Sequence, residues 1–356
     1  MDFMPELLRF TDGTPVRSPA DMAARRREMI SLLENEAYGK AIPPVPVSGR
    51  RVATDAHCAC GTAVVEDLRI CCKMDKNTEY SFPLRLYRQT SPGKKPLLLL
   101  LNFSDKKYHE YLQPEFVLQN GFSLAVLHYE HLTRDNGDFS DGLAAFFPSR
   151  TDGTGAGKIT IWAWGAGRAL DYLLSREDVD ETQVALIGHS RLGKTALWCA
   201  AQDERIRYVC SNDSGCMGAA CHRTLHEGGE SLKVITRAFP FWFCDNLVNR
   251  HGQTDALPFD QHFLLACVAP RYVCINSAAE DAWADPASEQ LSCVGASPAW
   301  AFYGKTGFLG NETPCGVDEG FPDGEIAYYK RSGKHFFGLP DWANFIGFIK
   351  DHRNND

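Results

Sequence analysis

The segment Val184 to Trp198, VALIGHSRLGKTALW, sets a single serine where an apolar run breaks at small residues and resumes as a helix. A strand, a tight turn and a helix in that order make a nucleophile elbow. The strained turn lifts the serine hydroxyl above a sheet, and the next backbone N–H helps to hold an oxyanion. Ser190 is therefore the candidate nucleophile, and the chemistry it suggests is acyl transfer. The usual spacing is G-x-S-x-G. Here Gly188-His189-Ser190-Arg191-Leu192-Gly193 puts an arginine after the serine and moves the second glycine by one.

A serine hydroxyl is a weak nucleophile until a base takes its proton, and the base needs a third group to orient it. Eleven histidines are available. In an α/β-hydrolase the chain order is serine, acid, histidine, with the histidine in a loop after the last strand. His335 fits that place, since IAYYKRSG reads as a strand and GKHFFG as the loop after it. Two aspartates could orient it. Asp213, in SNDSG, directly follows the strand after the elbow; Asp281, in AEDAW, follows the strand RYVCINS. Either can keep an imidazole aligned, and the choice stays open at this point. His189 is read as packing or supporting the elbow. Arg191 opens the helix, where its N–H and the positive helix end can stabilise a tetrahedral oxyanion. Lys194 lies one helical turn beyond the serine, on the same face. Trp283 offers a ring on which a sugar can stack its C–H face. Glu230 and Gln261 are weaker candidates for hydroxyl contacts, and Phe241 and Trp242, in the aromatic FPFWF, are read as core.

These groups need a sheet to hold them. Residues 19 to 38 suit a helix that starts at Ser18 and stops before Gly39, followed by the stiff connector PPVPVSG. Together they form an N-terminal helical extension of about residues 1–45. From Arg51 to Tyr87 apolar and polar residues alternate, predicting antiparallel strands. LLLLLNF (Leu97 to Phe103) and FSLAVLHY (Phe122 to Tyr129) are continuously apolar, as in strands covered on both faces. A polar, Gly-rich loop from Asp135 to Gly157 precedes a helical segment from Ile159 through Leu174. VALIGHS, YVCSND and YVCINSA continue the buried strands with helical stretches between them. The expected fold class is α/β, a three-layer sandwich with a mostly parallel sheet and right-handed crossovers, in one domain over residues 1–356.

The motifs resemble those of the glucuronoyl esterases, carbohydrate esterase family 15. GHSRLGK is similar to their G-C-S-R-x-G-K signature, including bacterial members with variant residues around the serine. SNDSG, FPFWF, LPFDQHFLLACVAPR (Leu257 to Arg271), AEDAWADP (Ala279 to Pro286), SGKH (Ser332 to His335) and an N-terminal helix ending in AYGK extend the resemblance over most of the chain. The resemblance implies His335 as base and an assisting role for the Arg191 side chain. It also implies contact of Lys194 with sugar hydroxyls and a tryptophan near Trp283. In fungal members a glutamate stands where Asp213 is; some bacterial relatives carry an acid at the place of Asp281. The implied activity is hydrolysis of an ester between glucuronic or 4-O-methylglucuronic acid and an alcohol, the bond that ties xylan to lignin. Alternatives are an acetyl xylan or other carbohydrate acyl esterase, and a non-catalytic carbohydrate-binding relative.

Composition narrows the setting. With 37 basic and 45 acidic residues, the net charge of −8 argues against general nucleic-acid affinity. The run Pro96 to Leu101 is far short of the roughly 20 residues of a membrane span, so a soluble protein and no membrane partner are expected. The N-terminus MDFMPELLRF shows no leader pattern, which leaves export after leader removal and a cytoplasmic location both open. Thirteen cysteines are expected to be mostly free, buried thiols. A zinc set of Cys58, Cys60, Cys71 and Cys72 would need an unusual spacing. No metal or organic cofactor is called for, and the oligomeric state is undefined.

Overall fold

All five leucines from Leu97 to Leu101 are buried, because their strand has a core on each side: Leu97, Leu99 and Leu101 enter one core, Leu98 and Leu100 the other. Side chains alternate across a strand, so a continuous apolar run requires two covered faces. The computed structural model describes residues 4–58, 61–147, 150, 152–250 and 252–353. The strands are β1 (Val47–Cys58), β2 (Ala63–Lys73), β3 (Glu79–Gln89), β4 (Lys95–Asn102), β5 (Ser123–His128), β6 (Val179–His189), β7 (Tyr208–Asn212), β8 (Tyr272–Ala278), β9 (Glu319–Phe321) and β10 (Ile326–Arg331). They form one sheet in the order β1-β2-β3-β5-β4-β6-β7-β8-β10-β9. From β5 to β10 neighbours run parallel; β1, β2 and β3 join antiparallel at one edge and β9 at the other.

The helices are α1 (Pro19–Leu33), α2 (Pro114–Gln119), α3 (Lys158–Leu173), α4 (Arg191–Gln202), α5 (Leu232–Ala238), α6 (Asp245–Asn249), α7 (Gln261–Ala266), α8 (Pro286–Ala296), α9 (Pro298–Ala301) and α10 (Leu339–Arg353). The larger core takes Met29 of α1, Trp162 of α3, Leu197 of α4, Phe263 of α7 and Cys293 of α8. Val117 of α2 and Trp342, Phe345 and Ile349 of α10 fill the smaller core on the opposite face. The mostly parallel sheet between helical layers and the antiparallel strands β1 to β3 agree with the expectation from sequence, which includes neither β9 nor α10.

Ser18 caps α1 by accepting the Asp21 N–H at 3.1 Å. The helix then widens over Glu34–Tyr38 and stops at Gly39, whose φ of 90° suits a residue without a Cβ. Tyr38 is wedged under α4. Its ring stacks on Trp198 with centroids 4.7 Å apart, and its hydroxyl donates to the Met217 carbonyl at 2.8 Å. The twelve described cysteines are all free thiols. Cys58 pairs in register with Ala63, whereas Cys71 and Cys72 lie at the far end of β2, opposite Ser48 and Val47. At about 3.3 Å per residue they are roughly 25 Å or more from Cys58, so those three cannot share a zinc ion; Cys60 lies outside the described residues. Among the described residues, no helix is long and apolar enough to cross a membrane.

Candidate active site

Ser190 sits between β6 and α4 with φ 56° and ψ −128°. A non-glycine residue in that region is strained, at a cost on the order of 1–3 kcal/mol, and persists only where its surroundings enforce it. The enforcing contacts are visible. Its N–H donates to the Asn212 carbonyl at 2.8 Å, and its own carbonyl accepts from Gly193 at 2.9 Å. A Cβ on Gly188 would lie 2.0 Å from the Leu192 carbonyl oxygen, and one on Gly193 would lie 2.7 Å from Ser211 Oγ. The displaced second glycine thus lets α4 press onto the end of β7. The Ser190 hydroxyl takes no part in capping α4.

Ser190, Arg191, Lys194, Asp213, Glu230, Asp281, Trp283 and His335 line one cavity of about 450 Å³ with Phe239 and Trp242. His335 is 41% exposed and its Nδ1 is 2.5 Å from Oδ2 of Asp281, which is 5% exposed. Asp281 also caps the short turn that follows it, accepting from Ala284 N–H at 3.4 Å. Asp213 is near but turned to other partners. Its Oδ1 accepts from Ala278 N–H at 2.7 Å, and its Oδ2 from Asn212 Nδ2 at 3.0 Å and from Arg331 Nη2 at 3.3 Å. Burial, then the charges of Glu289 and Asp281, push the Asp213 carboxyl well above the usual range against the pull of Arg331.

One ligand-capable atom each of Asp213, Asp281 and His335 falls within 4.8 Å of the others. The 2.5 Å between Nδ1 and Oδ2 is a hydrogen-bond separation; two ligands of one tetrahedral ion would stand about 3.3 Å apart, so the pair does not fit a shared metal.

His189 is buried, with its Nδ1 2.8 Å from Asn212 Nδ2 and its ring centroid 4.4 Å from that of His335. The sequence reading has it packing or supporting the elbow; it packs here between Asn212 and the His335 ring. Lys194 is also buried, donating to the Ser214 carbonyl and lying 3.8 Å from Glu230 Oε2. Burial raises the Glu230 carboxyl above its ordinary value, against the attraction of Lys194. Trp283 is half exposed at the rim.

One reading is corrected. Gln261 does not reach the cavity: it is fully buried and its Nε2 donates to Tyr38 Oη at 3.1 Å and to the Gly218 carbonyl at 2.8 Å. Trp242 belongs to the larger core, as read from the sequence, and also walls the cavity; it stacks on Phe239 with centroids 3.9 Å apart. Phe241 stays half-buried beside them.

Several supporting residues escaped the sequence reading. Arg331 moors the histidine loop by donating to the carbonyls of Ser332 at 3.0 Å, Lys334 at 3.2 Å and Phe336, while its Nε holds Asp341 at 2.8 Å. Its place directly before SGKH was the available signal. Asp135 pairs with Arg191 from a loop with no periodicity, and nothing in the sequence marked it.

A mostly parallel sheet with helices on both faces, and a strained serine between a central strand and the helix that follows, define an α/β-hydrolase. The family profile "Glucuronyl esterase, fungi" matches residues 75–304. A carbohydrate esterase from an unknown prokaryotic organism, MZ0003, is 37% identical over 244 residues, 67% of this chain and 56% of that protein's length. A 4-O-methyl-glucuronoyl methylesterase from Phanerochaete carnosa is 28% identical over 330 residues, 88% of this chain and 77% of its own. The solved glucuronoyl esterase from Solibacter usitatus superposes with a TM-score of 0.89 at 31% identity, covering 98% of this chain and 97% of that one. The chain belongs to the glucuronoyl esterase family of carboxylic ester hydrolases.

Proposed function

We propose that this chain hydrolyses esters of glucuronic or 4-O-methylglucuronic acid through an acyl-enzyme on Ser190. The observation that carries the reading is the cavity itself. It sets the elbow serine and the His335–Asp281 pair beside a buried Lys194–Glu230 pair, and so joins acyl-transfer groups to polar groups suited to a sugar acid. Family membership and the methylesterase name of a relative support the same substrate class.

Ser190 Oγ attacks the uronoyl carbonyl while His335 takes its proton, and Asp281 holds the imidazole in the required tautomer. The backbone N–H at the start of α4 and the Arg191 guanidinium meet the oxyanion. His335 then protonates the departing alcohol, and water, activated by the same base, releases the uronate. Asp213 braces the histidine loop through Arg331 instead of orienting the base. The natural substrate on this reading is a carbohydrate ester derived from glucuronoxylan.

Hydrolysis of methyl and benzyl glucuronate by wild type and Ser190→Ala, with acetyl xylan as comparison, tests the proposal. Serine-dependent release of glucuronate is expected. Turnover of acetyl xylan alone would replace it with an acyl esterase, and release that survives loss of Ser190 would remove the mechanism.

A further inference from the structure

Arg191 is gripped by a residue distant from the elbow in sequence. A guanidinium nitrogen donates to Asp135 Oδ2, and the Asp135 side chain is only 8% exposed. The same carboxylate accepts from Trp242 Nε1 at 2.7 Å and from the Tyr129 hydroxyl at 3.0 Å. The guanidinium also lies 4.9 Å from the Trp242 ring centroid and 5.6 Å from that of Phe103. Its Nε is buried without a partner in the protein. The loop carrying Asp135 is tied down in turn, since the fully buried Lys158 donates to Thr133 Oγ1 and to the Asp138 carbonyl, both at 2.6 Å.

An arginine side chain ordinarily samples many rotamers, whereas this one is confined by a carboxylate and aromatic faces. Donors aimed at developing charge help only if they are in place before the reaction starts. We propose that Asp135 is a positioning residue for acyl transfer: it fixes the Arg191 guanidinium so that donors not spent on Asp135 meet the oxyanion. In that step the Ser190 Oγ–carbon bond forms, the carbonyl π pair moves to oxygen and the serine proton passes to His335. The pair returns as the carbon–oxygen bond to the alcohol breaks. The inference rests on the ester-hydrolase reading of Ser190 and Arg191, but not on the identity of the acyl group.

A kinetic double-mutant cycle of Asp135→Asn, Arg191→Gln and the double variant tests it with two substrates, methyl glucuronate and 4-nitrophenyl acetate, which shares the carbonyl and lacks the sugar. Asp135→Asn is expected to lower kcat about 10- to 100-fold with KM changed less than about threefold, and to cost less than about twofold more once Arg191 is gone. Asp135→Glu, which keeps the charge, should recover part of the loss and serves if the asparagine variant does not fold. Equal losses in both arginine backgrounds, or a loss confined to KM, would overturn the proposal. Coupling seen with nitrophenyl acetate in an enzyme inert toward methyl glucuronate would sustain it while rejecting the sugar assignment.

Discussion

The imidazole of His335 rests against that of His189, with ring planes tilted by 40°, yet only His335 has a carboxylate on its Nδ1. His189 Nδ1 faces the amide of Asn212 instead. Two adjacent histidines are thereby set to different tasks by their partners, one able to cycle a proton and the other held neutral. Burial first, then the charge of His335, carries the His189 imidazole well below its usual range.

Acidification should reveal that neutral histidine. In the folded state His189 resists protonation, while the unfolded chain takes up a proton near pH 6.5, so its contribution to stability is lost as pH falls below that value. His189→Gln should therefore be less stable than wild type at pH 7 but should lose less stability between pH 7 and pH 5, measured by urea unfolding. His222 and His262, both lowered to about 4 by burial, contribute equally to both proteins and cancel in the comparison.

The two aspartates near His335 should separate by magnitude. Removing the carboxylate that orients a triad imidazole costs about 10⁴ in kcat, and Asp281→Asn should approach that loss. Asp213→Asn should cost less than about tenfold, because the bond it weakens is to Arg331 and not to the base. Rates on a glucuronate ester that reverse this order would make Asp213 the acid.

Glu289 is fully buried and accepts from Ser214 Oγ at 3.1 Å, Gly215 N–H at 2.9 Å and Ser277 Oγ at 2.5 Å, with burial raising its carboxyl to about 7. Between about 4.5 and 7 the folded protein holds a proton that the unfolded chain gives up, so this contribution is present at low pH and lost as pH rises through that window. Glu289→Gln removes the titrating carboxyl. Its melting temperature relative to wild type should climb from pH 5 to pH 8; a constant difference would mean that Glu289 does not titrate there.

Tyr38 ties the N-terminal helix to the elbow helix, so its loss should be felt globally. Tyr38→Phe leaves the Met217 carbonyl and Gln261 Nε2 short of a partner and should cost about 1–3 kcal/mol. Tyr38→Ala should cost about 3–5 kcal/mol, as for other large buried aromatics. Urea midpoints would check both values.

The sheet was legible in the sequence because β4, β5, β7 and β8 each carry a short apolar run, and Ser190 follows another such run in β6. Ser18 and Gly39 marked the first helix through capping and φ, which are local properties. What escaped was non-local. Asp135 and Arg331 act on groups 56 and 118 residues away, and no periodicity records such a pairing. Composition also misled at Gln261, which resembled a surface donor but is consumed by Tyr38 and Gly218; the aromatic FPFWF does pack into the core, and what composition did not show is that Phe239 and Trp242 also face the cavity.

The five leucines of β4 have one more consequence. Five consecutive leucines lose nothing in hydrophobicity by sliding one step along their neighbours, so the run that builds two cores cannot choose its own alignment. Alignment must come from the ends, where the pairing with β6 shifts between Pro96 and Leu97 and Asn102 Nδ2 donates to the Ser104 carbonyl at 2.9 Å. Phe103, the next residue after the strand, then falls beside Arg191. A single-residue deletion within the leucines would keep the interior greasy and withdraw that ring from the guanidinium, leaving a chain that still folds around a miscut site.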